Sequence, residues 1–113
     1  MDPHFHGVIF KTHAGELMRR IKRPLPPYCI VDTRWRGAFD DGHIPGAISI
    51  LPEDLKARPE GTTEHTEFFV VGEEAEETGM RKASLALRRL GAHRVVELTG
   101  GMVEWRRFGG PLS

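Results

Sequence analysis

One cysteine, Cys29, is the whole thiol content of this 113-residue chain. That excludes an intramolecular disulfide and any metal site built on several cysteines, and it suits a reducing cytoplasm. Long apolar runs are missing too. None approaches the roughly 20 residues that cross a bilayer, so no membrane association is expected. Charge of one sign is also lacking, because 16 Lys and Arg balance 16 Asp and Glu. With no net field to steer it, the chain is expected to bind neither nucleic acid nor an anionic membrane. The opening Met1-Asp2-Pro3-His4-Phe5-His6 has neither the basic start nor the apolar stretch of a signal peptide, and residues 1–7 read as a flexible end. No internal repeat or low-complexity linker interrupts the chain, so residues 1–113 read as one domain able to bury a single core.

What is present, 39% hydrophobic and 28% charged residues, is the balance of an ordinary globular protein, and the order of elements must come from local pattern. Val8-Ile9-Phe10 predicts a short strand, and Thr12 a helix cap. Leu17, Met18 and Ile21 recur at helical spacing, with Arg19, Arg20 and Lys22 near the end where cations suit the helix dipole. Pro24, Pro26 and Pro27 stop that helix. Tyr28-Cys29-Ile30-Val31 and Phe68-Phe69-Val70-Val71 are continuous apolar runs too short for helices. They predict buried strands parallel to their neighbours, with Cys29 acting as a small hydrophobe.

Ile48-Ser49-Ile50 predicts another short strand, Pro52 opens one helical turn, and residues 58–67 read as a surface loop. Met80, Ala83, Leu87 and Leu90 follow helical spacing, with Arg81, Lys82, Arg88 and Arg89 on a solvated face and Gly91 as C-cap. Arg94-Val95-Val96-Glu97-Leu98 predicts a strand. Gly100-Gly101 turns out of it, and Met102, Trp105 and Phe108 line the inner face of a last helix. Strand and helix signals that alternate in this way predict an α/β fold with a parallel sheet.

Three stretches carry more specific information. The first is Val31-Asp32-Thr33-Arg34, then Phe39, then Gly42-His43-Ile44-Pro45-Gly46-Ala47. The second runs from Phe68 through a loop and helix to Gly91. The third is Val95-Val96-Glu97-Leu98-Thr99-Gly100-Gly101 with Trp105 and a terminal Gly110-Pro111. Together they resemble the rhodanese-like family over nearly the whole chain. The resemblance implies a central, mostly parallel five-stranded sheet flanked by helices on both faces. The motif residues also have plain physical readings. Asp32 and Arg34 read as a structural ion pair or as partners of loop amides. His43, in a glycine-bounded turn, reads as a structural hydrogen bond before a catalytic base, and Trp105 reads as core.

In sulfur-transferring members of the family, the resemblance implies a nucleophilic cysteine after the strand equivalent to Phe68–Val71. Loop amides and a helix N-terminus there lower the thiol pKa and stabilise the persulfide anion. In this chain the position after Val71 is Gly72, which has no side chain and cannot attack anything. Counting back from Gly91 places the position nearer Glu74, which is no thiol either. The expectation is therefore a scaffold with no catalytic residue, metal or cofactor, and a remodelled loop made of Glu73, Glu74, Ala75, Glu76, Glu77, Thr78, Gly79, Met80 and Arg81. Its glutamates complement a helix dipole and repel anionic sulfur donors. Arg81 is expected to pair with one of them.

Three functional classes follow. The favoured one is a non-catalytic binding or regulatory module whose acidic loop meets a basic patch on a partner, or a second copy, against the plain alternative of a solvated, helix-capping charge run. The second is a sulfurtransferase or related phosphatase or reductase with a non-standard site. A hydrolase built on the glutamates would need paired carboxylates with separated pKa values. The third is a metal site using the glutamates with His65, or His4, His6 and His13, whose spacing fits no strong motif.

Overall fold

The computed structural model describes residues 8–74 and 78–113. Nine elements follow one another: β1 (Phe10–Thr12), α1 (Ala14–Arg20), β2 (Tyr28–Asp32), α2 (Arg36–Asp41), β3 (Ile48–Ser49), β4 (Glu67–Val71), α3 (Thr78–Arg89), β5 (Arg94–Leu98) and α4 (Gly101–Arg107). A 3-10 turn at Pro52–Asp54 begins at its proline, as expected. The five strands form one parallel sheet in the order β1-β5-β4-β2-β3. The predicted sheet is present and is parallel throughout.

Alternation along the strands divides the core between two faces. Ile30, Phe69, Val71, Val96 and Leu98 pack with Leu17 of α1 and with Met102 and Trp105 of α4. Val31, Phe68, Val70 and Val95 pack with Met80, Ala83 and Leu87 of α3. The central strands β2 and β4 are apolar on both faces because helices cover both, which is why their sequence runs are continuous. Trp105 is fully buried, and its Nε1 donates to the Pro111 carbonyl at 2.8 Å, tying down the C-terminal end.

Helix α3 ends as its sequence predicts. Gly91, at φ 94°, donates to the Arg88 carbonyl and Ala92 donates to that of Leu87, the paired bonds of a left-handed helix stop.

Five local expectations change. The first strand lies two residues later than Val8-Ile9-Phe10, because pairing to β5 sets its register, Phe10 to Val96 and Thr12 to Leu98. His13, and not Thr12, caps α1, its Nδ1 accepting from the Glu16 amide. Phe108, the residue after α4, is exposed and does not join Met102 and Trp105 in the core. Thr78, Gly79, Met80 and Arg81 belong to α3 and not to the loop. Buried Met80 extends the helical face of Ala83 and Leu87 toward the N-terminus, and the helix starts to accommodate it. Helix α2 is an addition, since six residues with one buried side chain, Phe39, give no readable period.

Candidate functional site

Parallel strands place their C-terminal ends together, and this brings the first and second motifs into contact. Asp32, last in β2, lies opposite Val71, last in β4. Thr33 fastens the two ends by donating both its amide and its hydroxyl to the Val71 carbonyl, each at 2.9 Å. Gly72 then leaves the sheet.

Asp32 and Arg34 form an ion pair, and it is a buried one, with side chains 1% and 5% exposed. Arg34 Nε donates to both Asp32 oxygens at 3.0 and 3.2 Å, and Nη2 donates to Oδ2 and to the Gly42 carbonyl, each at 2.8 Å. The remaining arm, Nη1, reaches Glu73 Oε1 at 3.0 Å. Arg106, from α4, holds Glu73 Oε2. Burial by itself would lower the Arg34 pKa, but the bonds and charge of Asp32, then of Glu73, outweigh it and raise it. Glu73 is thus drawn inward between two guanidiniums, where the sequence suggested an outward acidic surface. The cleft beside this cluster, about 220 Å³, is lined by Arg34, Gly42, Glu73, Arg106 and Leu112, among others.

The backbone of the loop is equally constrained. Met102 and Val103, in the first turn of α4, donate their amides to the Gly72 and Glu73 carbonyls at 2.9 and 3.0 Å. These are helix-end donors that need acceptors, and the loop supplies them. Gly101 makes the approach possible. At φ 54° a Cβ there would stand 2.5 Å from the Gly72 oxygen. Glu74 is exposed. Ala75, Glu76 and Glu77 lie outside the described residues, as do His4 and His6.

The remaining candidates lie elsewhere. His43 takes the structural role, with Nδ1 2.8 Å from the Phe39 carbonyl and its ring stacked on Phe39 at 3.7 Å between centroids. Arg81 reaches Glu97 of β5, not a loop glutamate as expected, with Nε to Oε2 at 2.8 Å and Nη2 to Oε1 at 3.0 Å. Glu97 is 2% exposed and also accepts from Ser84. Burial pushes the Glu97 pKa up, but the bonds from Arg81 and Ser84 prevail and leave it below the usual carboxylate range.

Cys29 pairs with Phe68 within the sheet and packs against the α3 side of the core. Gly72 is four residues further along β4 than Phe68, so the thiol is about 13 Å from the loop along the strand direction. Burial pushes its pKa up to about 11. Among the described residues, no group of three or more His, Cys, Asp or Glu is arranged to hold a metal ion, and no helix is long and apolar enough to cross a membrane.

Sequence reasoning missed Thr33 and Arg106. Arg106 is one of several arginines near the end of a helix, and nothing in the sequence assigns it to Glu73.

The family model for the rhodanese-like domain matches residues 13–108. The chain therefore belongs to the rhodanese-like family. It is 32% identical over 99 residues to the uncharacterized Escherichia coli protein YibN, covering 87% of this chain and 68% of that protein. The rhodanese-like domain of the Anabaena sp. protein Alr3790 superimposes with a TM-score of 0.78 at 32% identity, covering 100% of this chain and 80% of that one. The Bacillus halodurans protein BH2092 does so with a TM-score of 0.82 at 28% identity, covering 92% and 76%.

Proposed function

We propose that this chain is a non-catalytic rhodanese-like domain, a binding or regulatory module. In this reading Gly72 stands where sulfur-transferring relatives carry their nucleophile, and the acidic stretch that follows meets a basic protein partner. The position and state of the one thiol carry the reading. Cys29 lies low in the sheet with its pKa raised to about 11, so at neutral pH it is a protonated thiol far from the loop. The lock on Glu73 supports it further. A loop whose carbonyls accept from the amides of α4, and whose first carboxylate accepts from two arginines, leaves those two guanidiniums already engaged. An incoming sulfur-donor anion would have to displace that carboxylate. The acidic partner surface is correspondingly reduced to the glutamates after Glu73.

The test is purified protein with thiosulfate and cyanide, with thiocyanate as readout. No turnover is expected. Turnover that disappears in Cys29→Ser overturns the proposal and establishes a sulfurtransferase with a non-standard site. Gly72→Cys is expected to gain little activity, because the Glu73 carboxylate stays beside the new thiol. Ready turnover in that variant would refute the charge argument. The binding role is checked by capture of a basic partner that weakens when Glu74, Glu76 and Glu77 become glutamine.

A further inference from the structure

Along α1, reaching the end of the sheet where β4 and β5 begin, lies a second cleft of about 260 Å³. Glu67, which lines it, is five residues before Gly72, about 16 Å from the loop along β4. Four arginines line it: Arg19 and Arg20 of α1, Arg23 just beyond that helix, and Arg94 of β5. They face two glutamates, Glu16 and Glu67, leaving an excess of two positive charges.

The two glutamates are already engaged. Glu67 Oε1 accepts from Arg20 Nε at 2.8 Å and Oε2 from Arg94 Nε at 2.7 Å. Glu16 is bonded to Thr12 and faces His13. Arg20 is fully committed as well. Its Nη groups donate to the Arg23 and Pro26 carbonyls, which fixes the chain that carries Arg23.

The other three guanidiniums are different. Arg19 and Arg23 are exposed and have no side-chain partner among the described residues. Arg94, which lines the cleft, donates its Nε to Glu67 and holds its guanidinium 4.3 Å over the Phe10 ring, and neither Nη group is bonded to protein among the described residues. Guanidinium forks of this kind match the oxygens of phosphate-type anions in pairs, and they are less strongly hydrated than ammonium groups. The space is near the roughly 300 Å³ lower end of small-molecule sites.

From this arrangement we propose that the Arg19–Arg23–Arg94 cleft binds a multiply charged oxoanion, free or carried by a small molecule as a phosphate or diphosphate. Glu67 is its internal anchor, holding Arg20 and Arg94 in place. The site requires neither Gly72 nor the acidic loop, so it stands apart from the function proposed above.

The experiment is titration of the whole chain with inorganic phosphate, pyrophosphate and adenosine diphosphate, followed by backbone amide NMR shifts and by melting temperature. Sodium chloride at matched ionic strength is the reference, because nonspecific charge effects are screened alike. Saturable shifts centred on residues 19–23 and 94 are expected, with a higher melting temperature than in the salt reference. Tighter binding of adenosine diphosphate than of pyrophosphate identifies a carried diphosphate, and the reverse order a free anion. The Arg19→Gln, Arg23→Gln double variant alters two exposed side chains without partners and is expected to fold normally, with binding about tenfold weaker or more. Lys82→Gln on α3 is expected to leave binding unchanged. Shifts no larger than in salt overturn the proposal, as does undiminished binding in the double variant. Response to an acidic peptide alone, with all three oxoanions silent, overturns it in favour of protein docking.

Discussion

Strand β4 has a glutamate at each end, Glu67 as its first residue and Glu73 two residues past its last, and each is held by two arginines. At Glu73 the charges close. Arg34 divides its donors among Asp32, the Gly42 carbonyl and Glu73, so the pair of arginines meets a pair of carboxylates and the loop is locked. At Glu67 the same clamp is surrounded by two further arginines without side-chain partners, and positive charge is left over. The clamp is thus structural where donors and acceptors balance and receptive where cations outnumber them. The depth of the arginine differs less, since Arg34 is 5% and Arg20 9% exposed at the side chain.

The largest expected effect is at Arg34. Arg34→Met leaves Asp32, 1% exposed, as a buried unpaired carboxylate, and urea unfolding should show a loss of about 3–5 kcal/mol. A loss below about 1 kcal/mol would mean that the locked end is no lock. Gly101→Ala tests the same end through the backbone. A left-handed φ and a Cβ 2.5 Å from the Gly72 oxygen should together cost about 2–3 kcal/mol in the same measurement.

Glu67→Gln should cost about 2 kcal/mol, because buried Arg20 loses its charged acceptor. It should also change the acid limb of the stability curve. Burial pushes the Glu67 pKa up, but the bonds from Arg94 and Arg20 outweigh this, and the net value is below the ordinary 4.5. A lowered folded-state pKa contributes stability that is complete above 4.5 and is lost as pH falls through the folded value. Glu97 adds to the same acid window. Unfolding measured from about pH 6 down to pH 3 should therefore lose stability less steeply in Glu67→Gln than in the parent. The smallest effect is expected for Glu73→Gln, about 1 kcal/mol or less, since that side chain is 34% exposed and Arg34 keeps Asp32. If Glu73→Gln cost more than Glu67→Gln, the ranking of the two clamps would reverse.

Much of the scaffold was legible in local chemistry. The apolar runs at Tyr28–Val31 and Phe68–Val71 are strands buried on both faces, and Gly91 stops α3, because periodicity and a left-handed glycine are properties of neighbouring residues. Helix α2 was illegible, with one buried side chain and no repeat. At the candidate site, the absence of a thiol near Gly72 was readable directly. The behaviour of the loop was not. Glu73 stands among glutamates that look alike in the chain, and its inward turn depends on Arg34 and Arg106, which lie 39 residues before it and 33 after it. Arg81 misled for the same reason. Its partner, Glu97, is 16 residues on and is read as a strand residue until β5 is placed beneath α3.

By itself the sequence determined the order of the elements other than α2, the parallel sheet, the rhodanese-like scaffold and the lack of a cysteine after β4, all from adjacent residues and motif spacing. Only the tertiary structure decided which carboxylate meets which arginine. Ion-pair partners are chosen by the convergence of strand ends and helices distant in sequence. That convergence closed the charge at Glu73 and left it open around Glu67.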